Sequence, residues 1–355
     1  MRRVRLSQIL LLPLAVGLAV GCNGKGGGDK RLNGGGATFV HPIMQKWSAE
    51  YEKLNGAQID YSGLGSSDGI AKMTEKELDF GCSDAPMKKE QVDKAAGIGG
   101  EVIHVPLILG GVAVIYNLPN VPDLHLSGPV IAEIYLGKIK KWNEEPIAQL
   151  NPGVVLPDQT IIPVYRSEGS GTSFIFSEYL SKVHPEFAQK IGASTSPKWP
   201  QIGVGQPKSD GVTNHVKNNA GSIGYTEVSY AKKNEVAVAA IQNGKGKFTH
   251  PDADAVTAAA EWGLTQQQTK EPYSLHELTY SLTNADSDKA YPISGISYGL
   301  LYKKQPRKKG EAIVEFFKWA TTEGQKFAVD LHYAPLPADL QKKVAERLAK
   351  VEYTD

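Results

Sequence analysis

The sequence predicts an α/β fold divided into about two domains. Three observations carry this. The chain has 355 residues, and a domain typically takes roughly 150. Short apolar, β-branched runs alternate along it with segments of helical apolar spacing. Two long strand-like segments, near residues 104–117 and 292–303, bracket a middle block. The simplest topology takes the chain into a second unit at the first segment and back at the second. With 41% hydrophobic and 22% charged residues the composition is that of an ordinary globular protein. Lys+Arg 39 against Asp+Glu 38 lacks the basic excess expected of a nucleic-acid binder, so no nucleic-acid partner is expected.

The first residues stand outside the fold. Arg2, Arg3 and Arg5 precede an apolar stretch from Ile9 to Val20, too short to span a bilayer comfortably. Ala19, Val20 and Gly21 then lead to Cys22, and the whole resembles a lipoprotein signal sequence. That resemblance implies cleavage after residue 21 and a lipid on Cys22, although Ala19 stands where Leu is more usual. The shortened chain would carry 36 basic and 38 acidic residues, a formal −2. Residues 22–33, rich in Gly and Lys, read as a flexible tether. With Cys22 acylated, Cys82 has no partner for a disulfide, and it reads as a small buried hydrophobe in a strand.

Beyond the tether, Ile43, Met44, Trp47, Tyr51 and Leu54 have helical spacing that Gly56 ends. Gln58 to Tyr61 is a strand, and Ile70, Met73 and Leu78 suggest a short helix. Val102 to Tyr116 is a nearly continuous apolar run broken by Pro106 and Gly110-Gly111, which fits a buried strand better than a helix. A helix follows near Gly128-Pro129 with a stop at Gly137, then a strand at Ile161 to Tyr165. From Thr172, Phe174, Ile175, Tyr179, Leu180 and Val183 line the apolar face of another helix. Gly295 to Tyr302 reads as a strand, Lys303 to Lys309 as a polar turn, and Ile313, Phe316, Phe317 and Ala320 as an amphipathic helix. No short internal repeat is present.

Three places share one local chemistry: Gly35-Gly36-Ala37-Thr38-Phe39, Gly63-Leu64-Gly65-Ser66-Ser67-Asp68-Gly69 and Glu168-Gly169-Ser170-Gly171-Thr172-Ser173. Each is a Gly-rich turn with Ser or Thr directly before a helical pattern. Glycine admits close approach, the hydroxyl donates or caps, and a helix start offers unpaired N–H groups with a partial positive charge. Together they suit a small oxyanion without metal or cofactor. Arg166, four residues before Ser170, adds a planar fork for two oxygens, unless Glu168 merely makes it a surface ion pair. None of the three ends in Gly-Lys-Ser/Thr, so a nucleotide-binding loop is disfavoured.

These segments, with Asp79-Phe80-Gly81-Cys82-Ser83-Asp84-Ala85-Pro86, the run from Ile134 to Trp142, Gly221 to Tyr225 and Tyr333-Ala334-Pro335-Leu336-Pro337, resemble the phosphate-binding protein of bacterial phosphate ABC transporters. The match runs in order from about Leu32 to about Leu340. It implies a two-lobed periplasmic-binding-protein fold of type II-like form, with two crossover strands as hinge. The first lobe would comprise 34–105 and 291–355, the second 106–290. It implies phosphate contacts from Ala37, Thr38, Phe39, Ser66 and Asp84 in one lobe, and from Arg166, Ser170, Gly171 and Thr172 in the other. Thr38, Ser66, Ser170 and Thr172 would donate hydroxyls, Phe39 and Gly171 main-chain N–H groups. The resemblance also implies an extracytoplasmic, non-enzymatic monomer serving membrane permease subunits. Glu168 stands where the family commonly has Asp, and Cys82 where a small residue such as Ala is usual. Asp84 sets a chemical condition: a carboxylate beside a dianion needs a proton between them, which phosphate carries and sulfate lacks.

Rival readings are weaker. Gly295-Ile296-Ser297-Tyr298-Gly299 fits the nucleophile-elbow pattern, but a strand continues where that elbow needs a helix. The eight histidines are scattered without metal-ligand spacing, which disfavours a metal-dependent phosphatase. Lys138, Lys140 and Lys141 near Trp142 read as a solvated face rather than the docking patch of an adhesin.

Overall fold

In a computed structural model the chain is described at residues 31–266, 268, 271–274 and 276–355. The expected signal sequence, Cys22 and the expected tether as far as residue 30 lie outside these residues. The chain enters through strand β1 (Arg31–Gly36) and alternates through helix α1 (His41–Asn55), β2 (Gln58–Gly63), α2 (Ser66–Thr74), β3 (Phe80–Ser83) and α3 (Lys89–Ile98). The long strand β4 (Val102–Tyr116) leads to β5 (His125–Ser127), α4 (Gly128–Tyr135), α5 (Glu145–Ala148) and β6 (Ile162–Arg166). Then come α6 (Gly171–Val183), α7 (Pro185–Lys190), β7 (Val204–Gln206), α8 (Lys208–Asn218), β8 (Ser222–Glu227) and α9 (Val228–Lys233). Short strands β9 (Ala237–Val238), β10 (Ala240–Gln242) and β11 (Phe248–Thr249) precede α10 (Ala253–Thr265). The return strand β12 (Ser294–Tyr302) is followed by β13 (Lys304–Pro306), α11 (Arg307–Ala320), α12 (Ala338–Leu348) and β14 (Glu352–Thr354).

The main sheet runs β2-β1-β3-β12-β4-β8-β6-β7, with β9 also on β4. Strand β1 is parallel to β2 and β3, and β6 is parallel to β7 and β8. Between these parallel groups lie the antiparallel β12 and β4. Strand β4 exchanges partners along its length: Val102 to Gly111 lies against β12, and Val112 to Tyr116 against β8. Every residue of β4 and of β12 is buried, which explains their unbroken apolar runs. Pro106, which has no N–H for a ladder, sits beside a register shift opposite Ser297 and Tyr298. Thus the fold is α/β and two-lobed, with two long strands between the halves, as expected.

Packing accounts for the placement of the helices that carry function. Trp47 on α1 is wholly buried and its indole N–H donates to the Gly324 carbonyl at 2.8 Å. Gly56 ends α1 in the left-handed region, at φ 71°. Residues 171–180 of α6 are all buried, and Phe176 stacks on Tyr225 with ring centroids 4.3 Å apart.

Four local expectations need correction. Residues 31–33 are strand and not tether, because they pair with Gln58 to Asp60 and Leu32 is buried. Gly34 continues the strand against Phe80, which leaves no room for a side chain: a Cβ there would lie 2.1 Å from Phe80 Cζ. Helix α2 stops at Thr74, so Leu78 is not part of it. Lys303 to Lys309 is not a turn; β13 pairs with β14, and Arg307 opens α11. Finally, Thr38 does not directly precede a helix, since α1 starts at His41 and Thr38 caps nothing.

Candidate functional site

In open α/β sheets the loops at the carboxyl ends of parallel strands converge, and ligands bind there. Here Ala37-Thr38-Phe39 follows β1, Ser66 follows β2, Asp84 follows β3, and Ser170-Gly171-Thr172 follows β6, whose last residue is Arg166. The structure brings both groups together. Gly171 N–H donates to Ser66 Oγ at 3.0 Å, and Ser67 N–H to the Gly169 carbonyl at 3.3 Å. Only glycine fits at 171, because a Cβ would lie 2.6 Å from both Asp84 Oδ2 and Ser66 Oγ.

The Ala37-Thr38-Phe39 turn is fixed by its carbonyls. Tyr61 Oη donates to Ala37 O at 2.9 Å, Tyr230 Oη to Thr38 O at 2.7 Å, and Tyr333 Oη to Phe39 O at 2.5 Å. Ala37 N–H is spent on the Cys82 carbonyl at 2.9 Å. Cys82 itself is buried in β3, as expected, and burial holds its thiol up in the neutral form.

Arg166 is no surface ion pair, since its side chain is 1% exposed. Glu168 Oε1 accepts from Arg166 Nε at 2.8 Å and also from Nη2, and the same carboxylate accepts from Lys208 N–H at 3.0 Å. The longer carboxylate thus takes one edge of the guanidinium and leaves N–H groups on both Nη atoms. Ser170 caps α6, accepting from Ser173 N–H at 3.2 Å. Thr172 Oγ1 is buried and has no hydrogen-bond partner among the described residues. A buried hydroxyl without a partner costs about 1–3 kcal/mol, so this one is poised for something that enters the site.

Asp84 is buried, and desolvation pushes its carboxyl up to about 7 against the pull of the Ser297 hydrogen bond and the Arg166 charge. Ser297 Oγ donates to Asp84 Oδ1 at 2.7 Å, and Ser66 Oγ lies 3.4 Å from Oδ2. Ser297 is the serine of the Gly-Ile-Ser-Tyr-Gly run. It sits within β12 rather than on a strand-to-helix turn, and the flanking glycines serve packing, with Ile175 and Phe317 against them. Ser209 was missed in the sequence: its Oγ is 2.8 Å from Thr38 Oγ1 and 3.4 Å from Arg166 Nη1. Gln206-Pro207-Lys208-Ser209 lacks the glycine frame of the other turns, so no local signal marked it. Among the described residues no His, Cys, Asp and Glu cluster is arranged to hold a metal.

A second carboxyl is buried nearby. Glu227 accepts from Ser229 N–H at 2.9 Å, its Oε1 has no partner among the described residues, and burial pushes it up to about 8. Asp84 and Glu227 therefore hold protons in the folded chain at pH values where unfolded carboxyls have lost them. That stabilisation is lost as pH rises, from the unfolded values of 3.8 and 4.5 to about 7 and about 8. His104, buried and held down to about 4, works in the opposite sense up to its unfolded 6.5. Between about 6.5 and 8 the acids run unopposed by it. Stability of the anion-free protein is expected to fall there by up to about 1.4 kcal/mol per pH unit for each acid. Urea titrations across that window check this, and Glu227→Gln should flatten the upper part.

Hydroxyls, helix starts and the buried Arg166, held between two halves of an α/β sheet, define a solute-binding protein for a small oxyanion. Residues 23–323 match the PBP superfamily domain. The chain is 40% identical to the "Phosphate-binding protein PstS" of Xylella fastidiosa (strain Temecula1) over 88% of its length and 84% of the relative's. It is likewise 40% identical to the protein of that name from Pasteurella multocida, over 88% of each chain. Among solved structures, a high-affinity periplasmic phosphate-binding protein bound with phosphate superposes with TM-score 0.71 at 19% identity, over 92% of this chain and 99% of that one. The chain belongs to the PstS family of phosphate-binding proteins within the PBP superfamily.

Proposed function

We propose that the chain captures inorganic phosphate outside the cytoplasm and delivers it to the membrane permease subunits of an ABC transporter for import. It acts as a binder and not as an enzyme, as its family does. The observation that carries this reading is the buried Thr172 hydroxyl, without a partner among the described residues and next in the chain to Gly171, which meets Ser66 and Asp84. Ala37, Thr38, Phe39, Ser66 and Asp84 would contact the anion from one lobe, and Arg166, Ser170, Gly171 and Thr172 from the other. Glu168 would orient Arg166. Gly171 N–H would turn from Ser66 Oγ to the anion. Charge-assisted hydrogen bonds contribute roughly 1.5–3 kcal/mol each, and a micromolar site needs only about 8 kcal/mol, so protein groups suffice without a cofactor.

We assign 34–105 with 291–355 to the first lobe and 106–290 to the second. The exchange of β4's partner between Gly111 and Val112 supports a divide close to the first boundary. A lipid on Cys22 would hold the protein at the outer face of a membrane. Among the described residues no helix is long and apolar enough to cross one. The protein would work as a monomer whose lobe closure the permease reads.

Heat stability tests the reading. After bound ligand is stripped, phosphate at a hundredfold excess over Kd should stabilise the protein by about 2.7 kcal/mol, read as a rise in melting temperature. No phosphate-dependent shift, together with no retention of radiolabelled phosphate in equilibrium dialysis, overturns it.

A further inference from the structure

Thr38 is held at both ends by side chains from the opposite lobe. Its hydroxyl lies 2.8 Å from Ser209 Oγ, in the first turn of α8, and its carbonyl accepts from Tyr230 Oη, on α9, at 2.7 Å. The three residues are 4%, 1% and 5% exposed, so these bonds are shielded from water. The neighbouring carbonyls are treated differently. Ala37 O and Phe39 O are capped by Tyr61 and Tyr333, which belong to the same lobe as the turn. Those two bonds persist whatever the lobes do; the two on Thr38 exist only when the lobes meet.

We propose that Ser209 and Tyr230 form an interlobe clasp on Thr38, positioning residues that aim its hydroxyl and N–H-bearing turn at the anion and hold the lobes shut. This rests on the lobe assignment and phosphate reading above.

A guanidinium only donates, so Ser209 Oγ, 3.4 Å from Arg166 Nη1, accepts from it. Either hydroxyl can donate in the Ser209–Thr38 bond; the clasp takes Ser209 as the donor, which would leave the Thr38 proton for the anion. In that arrangement Arg166, Ser209 and Thr38 form a chain of donors, each polarised by the one before. Tyr230 acts on the adjoining peptide: a donor on the Thr38 carbonyl strengthens the Phe39 N–H of the same peptide group as a donor. Phenol burial pushes Tyr230 further into its neutral, donating form.

The clasp is made after the anion arrives and broken before it leaves, so its loss should appear in dissociation. Ser209→Ala and Tyr230→Phe, measured separately by stopped-flow in the full chain, are each expected to raise the phosphate off-rate five- to tenfold, with on-rates within about twofold. Their melting temperatures without phosphate should match the wild type, which a merely structural role would not allow, and Ser209→Thr should restore part of the loss. Solution scattering at saturating phosphate should show the double variant more open. Wild-type off-rates in both single variants, with wild-type phosphate binding intact, overturn the clasp alone. A wild-type protein that ignores phosphate overturns it together with the function on which it rests.

Discussion

Wild-type protein at pH 8 is expected to prefer phosphate over sulfate by about tenfold or more, and Asp84→Asn to remove most of that preference by admitting sulfate. The reason is one proton. Above its raised value of about 7 Asp84 is ionised, and in the proposed site it would meet the anion away from water. Phosphate brings a proton to that contact; sulfate brings none, and two negative groups are left unpaired in low dielectric. Acidification should supply the missing proton from the protein side. Sulfate affinity should therefore rise about tenfold per pH unit as pH falls toward 7, then level off once Asp84 is protonated. In Asp84→Asn this dependence should vanish. Competition calorimetry at pH 8.5, 7 and 6 reads all of it, and comparable sulfate and phosphate affinities at pH 8 would falsify the idea.

Arg166→Ala is expected to weaken phosphate binding by about 10²–10⁴-fold. Two charge-assisted hydrogen bonds are lost at roughly 1.5–3 kcal/mol each. The loss is compounded because Glu168, which accepts from Arg166 Nε at 2.8 Å, would remain as a carboxylate beside an anion. Arg166→Lys keeps the charge but not the fork, and should fall between wild type and Ala. Removing Glu168 in the Arg166→Ala background should recover part of the affinity. Calorimetry of the three variants separates charge from geometry.

Much of this was legible before any coordinates. Strand β4 was read with its observed bounds, because fifteen consecutive buried residues leave an unmistakable apolar run. The turns at residues 35–39, 63–69 and 168–173 were legible because glycine beside a hydroxyl is a local signal. What failed was local reading where distant residues decide. Residues 31–33 look like linker until their partners, Gln58 to Asp60 of another strand, are seen beside them. Arg307 to Lys309 looks like a solvated turn because the apolar face of α11 starts only at Gly310 and Ile313. Ser297 was noticed for a pattern it does not serve. Its role depends on Asp84, more than two hundred positions earlier. Ser209 and Tyr230 meet Thr38 across separations of 171 and 192 residues, which no short motif can announce.

The placement of Asp84, Thr38, Ser66, Ser170 and Thr172 beyond the ends of strands has an evolutionary consequence. Loops there can be rewritten while the hydrogen-bonded frame is inherited unchanged, so ligand choice and fold can drift at different rates. Ser297, like Arg166 at the end of β6, is fixed in a strand, and it sits at a register shift. A lineage that exchanged its anion could replace every loop donor piecemeal, but would have to re-thread the sheet to move that one serine.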